Sequence, residues 1–242
     1  MRKTFSVGLI GLFLMCLVAS PGLGQTADEV RAKMIKAMGG EEVLKSIKDL
    51  TISGTAELTM QGLSGVITVY KKEPNKRRLD FEVMGMVITQ AYNGETAWMV
   101  NPQTGAVEDM PEQGAAEWKR ESMPLDSLLD PQKYGITFAY KGKEQVEGRD
   151  HFVLEQTYPD GFKATIYCDS QTYLITKSRA SVTGPMGDVE VEQYSSDYKK
   201  VNGLTMAHSS VQYRDGEENL KFTIEEVKIN TGLEDSLFEK SE

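Results

Sequence analysis

The feature that most constrains this chain is a hydrophobic period of two. From Leu50 onward, Leu50, Ile52, Gly54, Ala56, Leu58 and Met60 alternate with Thr51, Ser53, Thr55, Glu57 and Thr59. Successive side chains of a strand point to opposite faces, so this run predicts a strand with one face buried and one wet. The alternation returns in Leu79, Phe81 and Val83, in Met86, Ile88 and Gln90, in Phe152 and Leu154, in Phe162, Ala164, Ile166 and Cys168, and in Leu220, Phe222 and Ile224. Turn signals separate the runs: Pro74-Asn75, Asn93-Gly94, Pro102 to Gly105, Pro159 to Gly161, Asn202-Gly203 and Asp215-Gly216. Strands joined by tight turns pair antiparallel. On the order of eleven to thirteen strands without a linker predict one large sheet or incomplete barrel.

Two stretches have a helical pattern. Residues 26–50 place Val30, Met34 and Met38 on one face, stop at Gly39-Gly40, and resume for a turn or two with Val43, Leu44 and Ile47. Residues 112–130 carry Trp118, Leu125 and Leu129 at helical spacing, but Pro124 splits the segment and Asp130-Pro131 ends it. This is an insertion between strands, long enough to lie across an opening.

The N-terminus predicts export. Arg2 and Lys3 precede an uncharged run from Phe5 to Val18, which is followed by Ala19, Ser20, Pro21 and Gly22. The run is shorter than the roughly 18 to 20 residues that span a bilayer, and Gly22 and Gly24 suit a cut before Gln25. Residues 1–24 are therefore read as a secretory signal peptide and 25–242 as a single domain. A cut there leaves 25 basic against 36 acidic side chains and moves the formal charge from −9 to −11. Such a surface repels nucleic acid and anionic headgroups. It also leaves Cys168 as the one cysteine, so no internal disulfide is expected.

A sheet of about a dozen strands is too wide for its own side chains to fill. Helices, a second chain or an apolar ligand must occupy the inner face. Met60, Met84, Met86, Met99, Met110 and Met123 fall in or beside the segments that would surround the interior, and thioethers suit surfaces that accept varied apolar partners.

Catalytic chemistry has little to stand on. His151 and His208 lie outside any metal-binding spacing, Asp150 and His151 point to opposite faces of a strand, and no nucleophile elbow or phosphate loop is present. His151 reads as a surface residue and His208 as partly inward. Gly62 to Gly65 reads as a hairpin turn. Lys71, Lys72, Lys76, Arg77 and Arg78 flank the Pro74-Asn75 turn and read as a solvated tip, with a lipid headgroup or acidic partner as the alternative.

The order of several segments resembles a known family. GMVITQAYNGETAWMVNPQTG (Gly85 to Gly105), the proline-broken helical segment ending in SLLD, VEGRDHFVLEQ, PDGF, YCDSQTYLITK (Tyr167 to Lys177), DYKKVNGL and VKINTGLEDSLFEK follow one another as in the LolA-like periplasmic proteins, the outer membrane lipoprotein-sorting family. The resemblance spans nearly all of the chain after Gly24. It implies an incomplete, strongly curved antiparallel β-barrel wrapped around helices, with a hydrophobic cavity that holds acyl chains in transit. Burying about fifteen methylenes is worth roughly 12 kcal/mol, so such chains need a host in water.

The resulting expectation is a periplasmic, non-enzymatic carrier of lipid or lipoprotein acyl chains, without cofactor or metal. Leu58, Met60, Leu79, Phe81, Met86, Ile88 and Met99 are expected to line the cavity, and Trp118, Leu125 and Leu128 to cover it. The alternative is a sensing or interaction module that binds an inner- or outer-membrane protein with its interior filled by its own helices.

Overall fold

The computed structural model describes residues 25–184 and 187–240; the signal segment read from the sequence lies outside the described residues. Thr26 opens helix α1 (Ala27–Ala37) with a capping box: its hydroxyl accepts from the Glu29 amide at 3.2 Å while the Glu29 carboxylate accepts from the Thr26 amide at 3.1 Å. After the Gly39-Gly40 turn comes α2 (Glu41–Ser46). Six strands follow: β1 (Asp49–Leu58), β2 (Leu63–Lys72), β3 (Lys76–Val83), β4 (Met86–Tyr92), β5 (Ala97–Val100) and β6 (Val107–Asp109). Helix α3 (Glu112–Glu121) and a short 3-10 turn at Leu125–Ser127 occupy the predicted insertion, and a second 3-10 turn, Pro131–Tyr134, follows beyond its expected end at Asp130. Seven strands complete the sheet: β7 (Thr137–Val146), β8 (Arg149–Thr157), β9 (Lys163–Asp169), β10 (Ile175–Gly184), β11 (Gly187–Val201), β12 (Leu204–Arg214) and β13 (Glu217–Ile229).

All thirteen strands form one antiparallel sheet in the order β6-β5-β4-β3-β2-β1-β13-β12-β11-β10-β9-β8-β7. Strands β6 and β7, neighbours in sequence, are therefore the two opposite edges. The chain between them must cross from one edge to the other, and α3 packs against β4 and β5 on the way. Among the described residues no helix is long and apolar enough to cross a membrane.

The inner face is the one that meets the helices. Val30 and Met34 of α1 pack against Phe152, Leu154, Ile166 and Cys168. Leu44 of α2 and Ile47 just after it pack against Leu50 and Leu204, with Leu125 and Leu129 from the insertion beside them. A third cluster, Ala56, Ile67, Val69, Phe81 and Val83, is flanked by Ile52, Leu58, Leu63, Leu79, Ile88, Leu220 and Phe222, all from β1 to β4 and β13. Strands alone can bury such a cluster only if the sheet bends sharply. Two glycines allow this: a Cβ on Gly54 would stand 1.9 Å from the Thr223 oxygen, and one on Gly65 would stand 2.1 Å from the Glu82 oxygen and 2.9 Å from the Phe81 ring. A register shift at Ser53/Gly54 adds to the bend.

Three details depart from the sequence reading. The first strand ends at Leu58, because Thr59 to Gly62 form the turn, with Gln61 N–H on the Leu58 carbonyl and Gly62 N–H on that of Thr59. Leu63 to Gly65 thus belong to β2 rather than to a turn. His151 is buried at 2% exposure, not superficial: its Nδ1 lies 2.9 Å from the Arg149 carbonyl and its Nε2 2.7 Å from the Thr176 hydroxyl. His208, read as partly inward, is buried.

The basic residues around Pro74 are not a solvated tip either. Lys72 and Lys76 both reach Asp235, Lys76 also reaches Glu239, and Arg78 donates to the Leu237 carbonyl at 2.9 Å. They hold a C-terminal 3-10 turn, Asp235–Phe238, against the sheet, where Phe238 is fully buried and its carbonyl accepts from Trp98 Nε1 at 2.8 Å. Their partners lie more than 150 residues away in sequence, which is why the cluster looked isolated.

Candidate functional site

Between α3 and strands β3 to β5 lies a groove of about 410 Å³, lined by Arg77, Leu79, Gln90, Met99, Met110 and Trp118, with Glu117 and Glu121 at its mouth. Its floor follows from register: Leu79 pairs with Gln90 and Gln90 with Met99, so these side chains share the inner face. Its wall is α3, whose Trp118 is 7% exposed and packs with Tyr92, Ala97 and Met110. The volume suits a site for a small apolar ligand.

One side chain ties floor to wall. The Arg77 guanidinium lies over the Trp118 ring, 4.3 Å from its centroid, and its Nη1 is 2.7 Å from Glu121 Oε2. Glu117, one helical turn earlier on the same face, has its carboxyl pushed up by burial and by the Glu121 charge. Lys71, paired directly with Arg77 in the β2–β3 register, has its ammonium pushed down by burial and then by Arg77. The groove thus combines the apolar Leu79, Met99, Met110 and Trp118 with the Gln90 amide and the charges of Arg77, Glu117 and Glu121.

The rest of the insertion is tied down separately. Arg31 of α1 donates Nη1 to the carbonyls of Leu128 and Leu129 at 2.8 and 3.0 Å. Glu73 accepts from the Leu125 amide at 3.1 Å, and Arg120 pairs with Asp160 while stacking over Phe162.

The residues singled out from the sequence separate into groups. Leu79, Met99 and Trp118 meet in the groove. Leu58, Phe81 and Ile88 lie in the adjoining strand cluster, which shares Leu79 with the groove. Met60 and Met86 are at the margin: Met60 sits in the turn beyond β1 at 58% exposure, and Met86 opens β4 at 51%. Leu125 packs on the α2 cluster rather than over Met99, and Leu128 is half-buried where Arg31 holds its carbonyl. Sequence reasoning misses Arg31 and Gln90 as contacts of the insertion and groove, and reads Arg77 as part of a solvated tip where the structure stacks it on Trp118. An arginine in a strand or helix carries no sign of which distant carbonyl or ring it will meet.

No family model matches the sequence, and no curated protein matches it. Solved structures do match in fold. A domain assigned to outer membrane lipoprotein sorting from Vibrio parahaemolyticus shares 18% identity, covers 87% of this chain and 94% of its own, and gives a TM-score of 0.57. A DUF1329 family protein from Desulfovibrio piger shares 15% identity over 88% of this chain and 97% of its own, with a TM-score of 0.61. A LolA superfamily protein from Nitrosomonas europaea shares 13% over 89% and 98%, with a TM-score of 0.60. The open thirteen-stranded sheet, rolled around α1 and α2 and bridged by the insertion, is therefore a LolA-like fold.

Proposed function

We propose that this protein is a periplasmic, non-enzymatic carrier or binding protein for the acyl chains of lipids or lipoproteins. The observation that carries the reading is the groove under α3, where Leu79, Met99, Met110 and Trp118 give an apolar floor and wall that continue into the Phe81 and Ile88 cluster. Exposed Met60, Met84 and Met86 lie where that cluster reaches solvent, and flexible thioethers there suit an entering alkyl chain. The shared fold supports the reading, since one of the similar structures is a domain assigned to outer membrane lipoprotein sorting.

Leu58, Leu79, Phe81, Ile88, Met99 and Trp118 would contact the chain, with Met60 and Met86 at its entry. The test is organic extraction of protein purified from periplasm without detergent, together with a thermal shift on adding fatty acid or phospholipid. Stoichiometric lipid and a raised unfolding midpoint are expected. Absence of both would overturn the reading in favour of a module that binds a membrane-protein partner, an alternative favoured by the way α1 and α2 already fill much of the inner face.

A further inference from the structure

Four hairpins of the sheet turn on two residues: Met84-Gly85 between β3 and β4, Glu147-Gly148 between β7 and β8, Asn202-Gly203 between β11 and β12, and Asp215-Gly216 between β12 and β13. Both residues of each pair have positive φ, in that order 53° and 78°, 50° and 76°, 47° and 93°, 48° and 81°, the setting of a type I′ turn. The first position favours asparagine, aspartate or glycine, because a Cβ crowds the backbone there and a short polar side chain offsets the cost locally. Three of the four turns carry a polar or charged residue at it. The fourth carries Met84, which has no polar group to offset the strain and is 78% exposed. A local rule broken at a water-facing tip, with no packing in return, points to a contact made outside the chain.

Met84 does not stand alone. Among the described residues the large apolar side chains more than half exposed are Met60, Val66, Met84, Met86 and Val87, and all five belong to the β1–β2 and β3–β4 hairpins. Val66 pairs with Glu82 across β2 and β3, and Val83 pairs with Met86, so the two turns leave the sheet side by side at one end. Residues 58–70 and 83–94 contain no charge, in a chain that is 26% charged. Charges appear only at the base of the patch. Glu57 pairs with Lys221 in the β1–β13 register, Lys221 is 2.9 Å from Glu218, and Glu82 stands between Val66 and Val87.

We propose that this uncharged rim docks on the surface of a lipid bilayer with zwitterionic headgroups, with Met60, Met84 and Met86 pressed into the boundary between headgroups and acyl chains. Interfacial binding grows with the apolar area that leaves water. Five side chains on two protruding tips are few for a protein partner or a second copy, since a stable interface takes about 20 to 30 residues a side. Three acidic groups at the base, offset by one lysine, disfavour anionic headgroups. The patch also continues inward: Leu58, Leu63, Val83 and Ile88 join it to Ile67 and Phe81, in a cluster that shares Leu79 with the groove under α3. A docked rim would open a bilayer onto that apolar path. This purpose rests on the acyl-carrier reading, whereas the docking itself does not.

The test floats the full chain after Gly24 with vesicles of phosphatidylcholine, alone or with one third phosphatidylglycerol, for the wild type, Met84→Asn and Met99→Asp. The wild type should bind phosphatidylcholine vesicles reversibly, and no more tightly when phosphatidylglycerol is added. Asparagine suits the turn, so Met84→Asn should unfold at the same or a higher urea concentration while its vesicle affinity falls about tenfold. Met99→Asp, aimed at the groove, should float as the wild type does, so that loss of cargo binding and loss of docking are told apart. A wild type that stays unbound, tighter binding to the anionic vesicles, equal binding by Met84→Asn, or loss of flotation in Met99→Asp would each overturn the proposal. So would a concentration-dependent dimer that Met84→Asn abolishes, which would assign the rim to a second copy.

Discussion

Arg77 and Trp118 join α3 to the sheet: a guanidinium from β3 stacks 4.3 Å from the centre of an indole from α3, and both line one groove. Replacing Arg77 with methionine keeps much of the stem and removes the charge. The stacked cation is worth about 1 to 2 kcal/mol when shielded from water, whereas the Glu121 ion pair adds only a few tenths because Glu121 is 46% exposed. Arg77→Met should lower stability by about 1 to 2 kcal/mol in urea unfolding, and amide exchange in α3 should accelerate more than in α1.

Gly54 should tolerate no side chain. A Cβ there would press on the Thr223 carbonyl, which is backbone and cannot swing aside. Gly54→Ala is expected to cost about 3 kcal/mol or more, or to prevent folding. Gly62→Ala, in an open turn at φ 64°, should cost less, about 1 kcal/mol. Equal midpoints for the two variants in denaturant would contradict the bending role given to Gly54.

Acid should loosen the sheet at two strand ends, the start of β1 and the end of β9. Burial pushes the Asp49 carboxyl up, but hydrogen bonds from the Thr231 and Gly232 amides and the Thr231 hydroxyl outweigh it and hold the group below its ordinary 3.8. Asp169 is held low in the same way by Thr172 and Gln171 against the cost of burial. A carboxylate whose native value is depressed stabilises fully above its unfolded value. That contribution is lost as pH falls below about 4 and through the native value. Thermal midpoints should therefore drop below about pH 4, and Asp49→Asn and Asp169→Asn should each flatten part of that drop.

Cys168 should be chemically quiet. It is fully buried beside Val30 and Met34, and burial followed by the neighbouring Asp169 charge pushes its thiol up to about 12. The native protein should resist alkylation at neutral pH and react once unfolded. Rapid labelling of the folded chain would mean that α1 does not stay seated on β8 and β9.

The alternation from Leu50 to Leu58 and the broken helix after Glu112 were legible because each is a local pattern with a fixed period. The sheet order was not. That β1 pairs with β13, leaving β6 and β7 as edges, depends on contacts between chain ends that no local period encodes. The same limit explains the site. Leu79 is visible from its strand parity, Trp118 from helical spacing and Met99 as a methionine beside the strands, while Met60 is carried past the strand end by a pattern that runs on into the turn. The polar residues depart from the sequence reading for one reason: Lys72, Lys76 and Arg78 find partners in the C-terminal turn, and His151 finds a hydroxyl on another strand.

The most direct test of the account is titration of a fluorescent fatty acid into the folded protein and into Met99→Asp, with urea unfolding run on both. Met99 lines the groove and is only half-buried. A carboxylate there should weaken binding by about tenfold or more through desolvation, with a stability change near or below about 1 kcal/mol. Saturable binding by the wild type that collapses in the variant is the predicted result; no binding by the wild type, or equal binding by both, would contradict an acyl chain in the groove under α3.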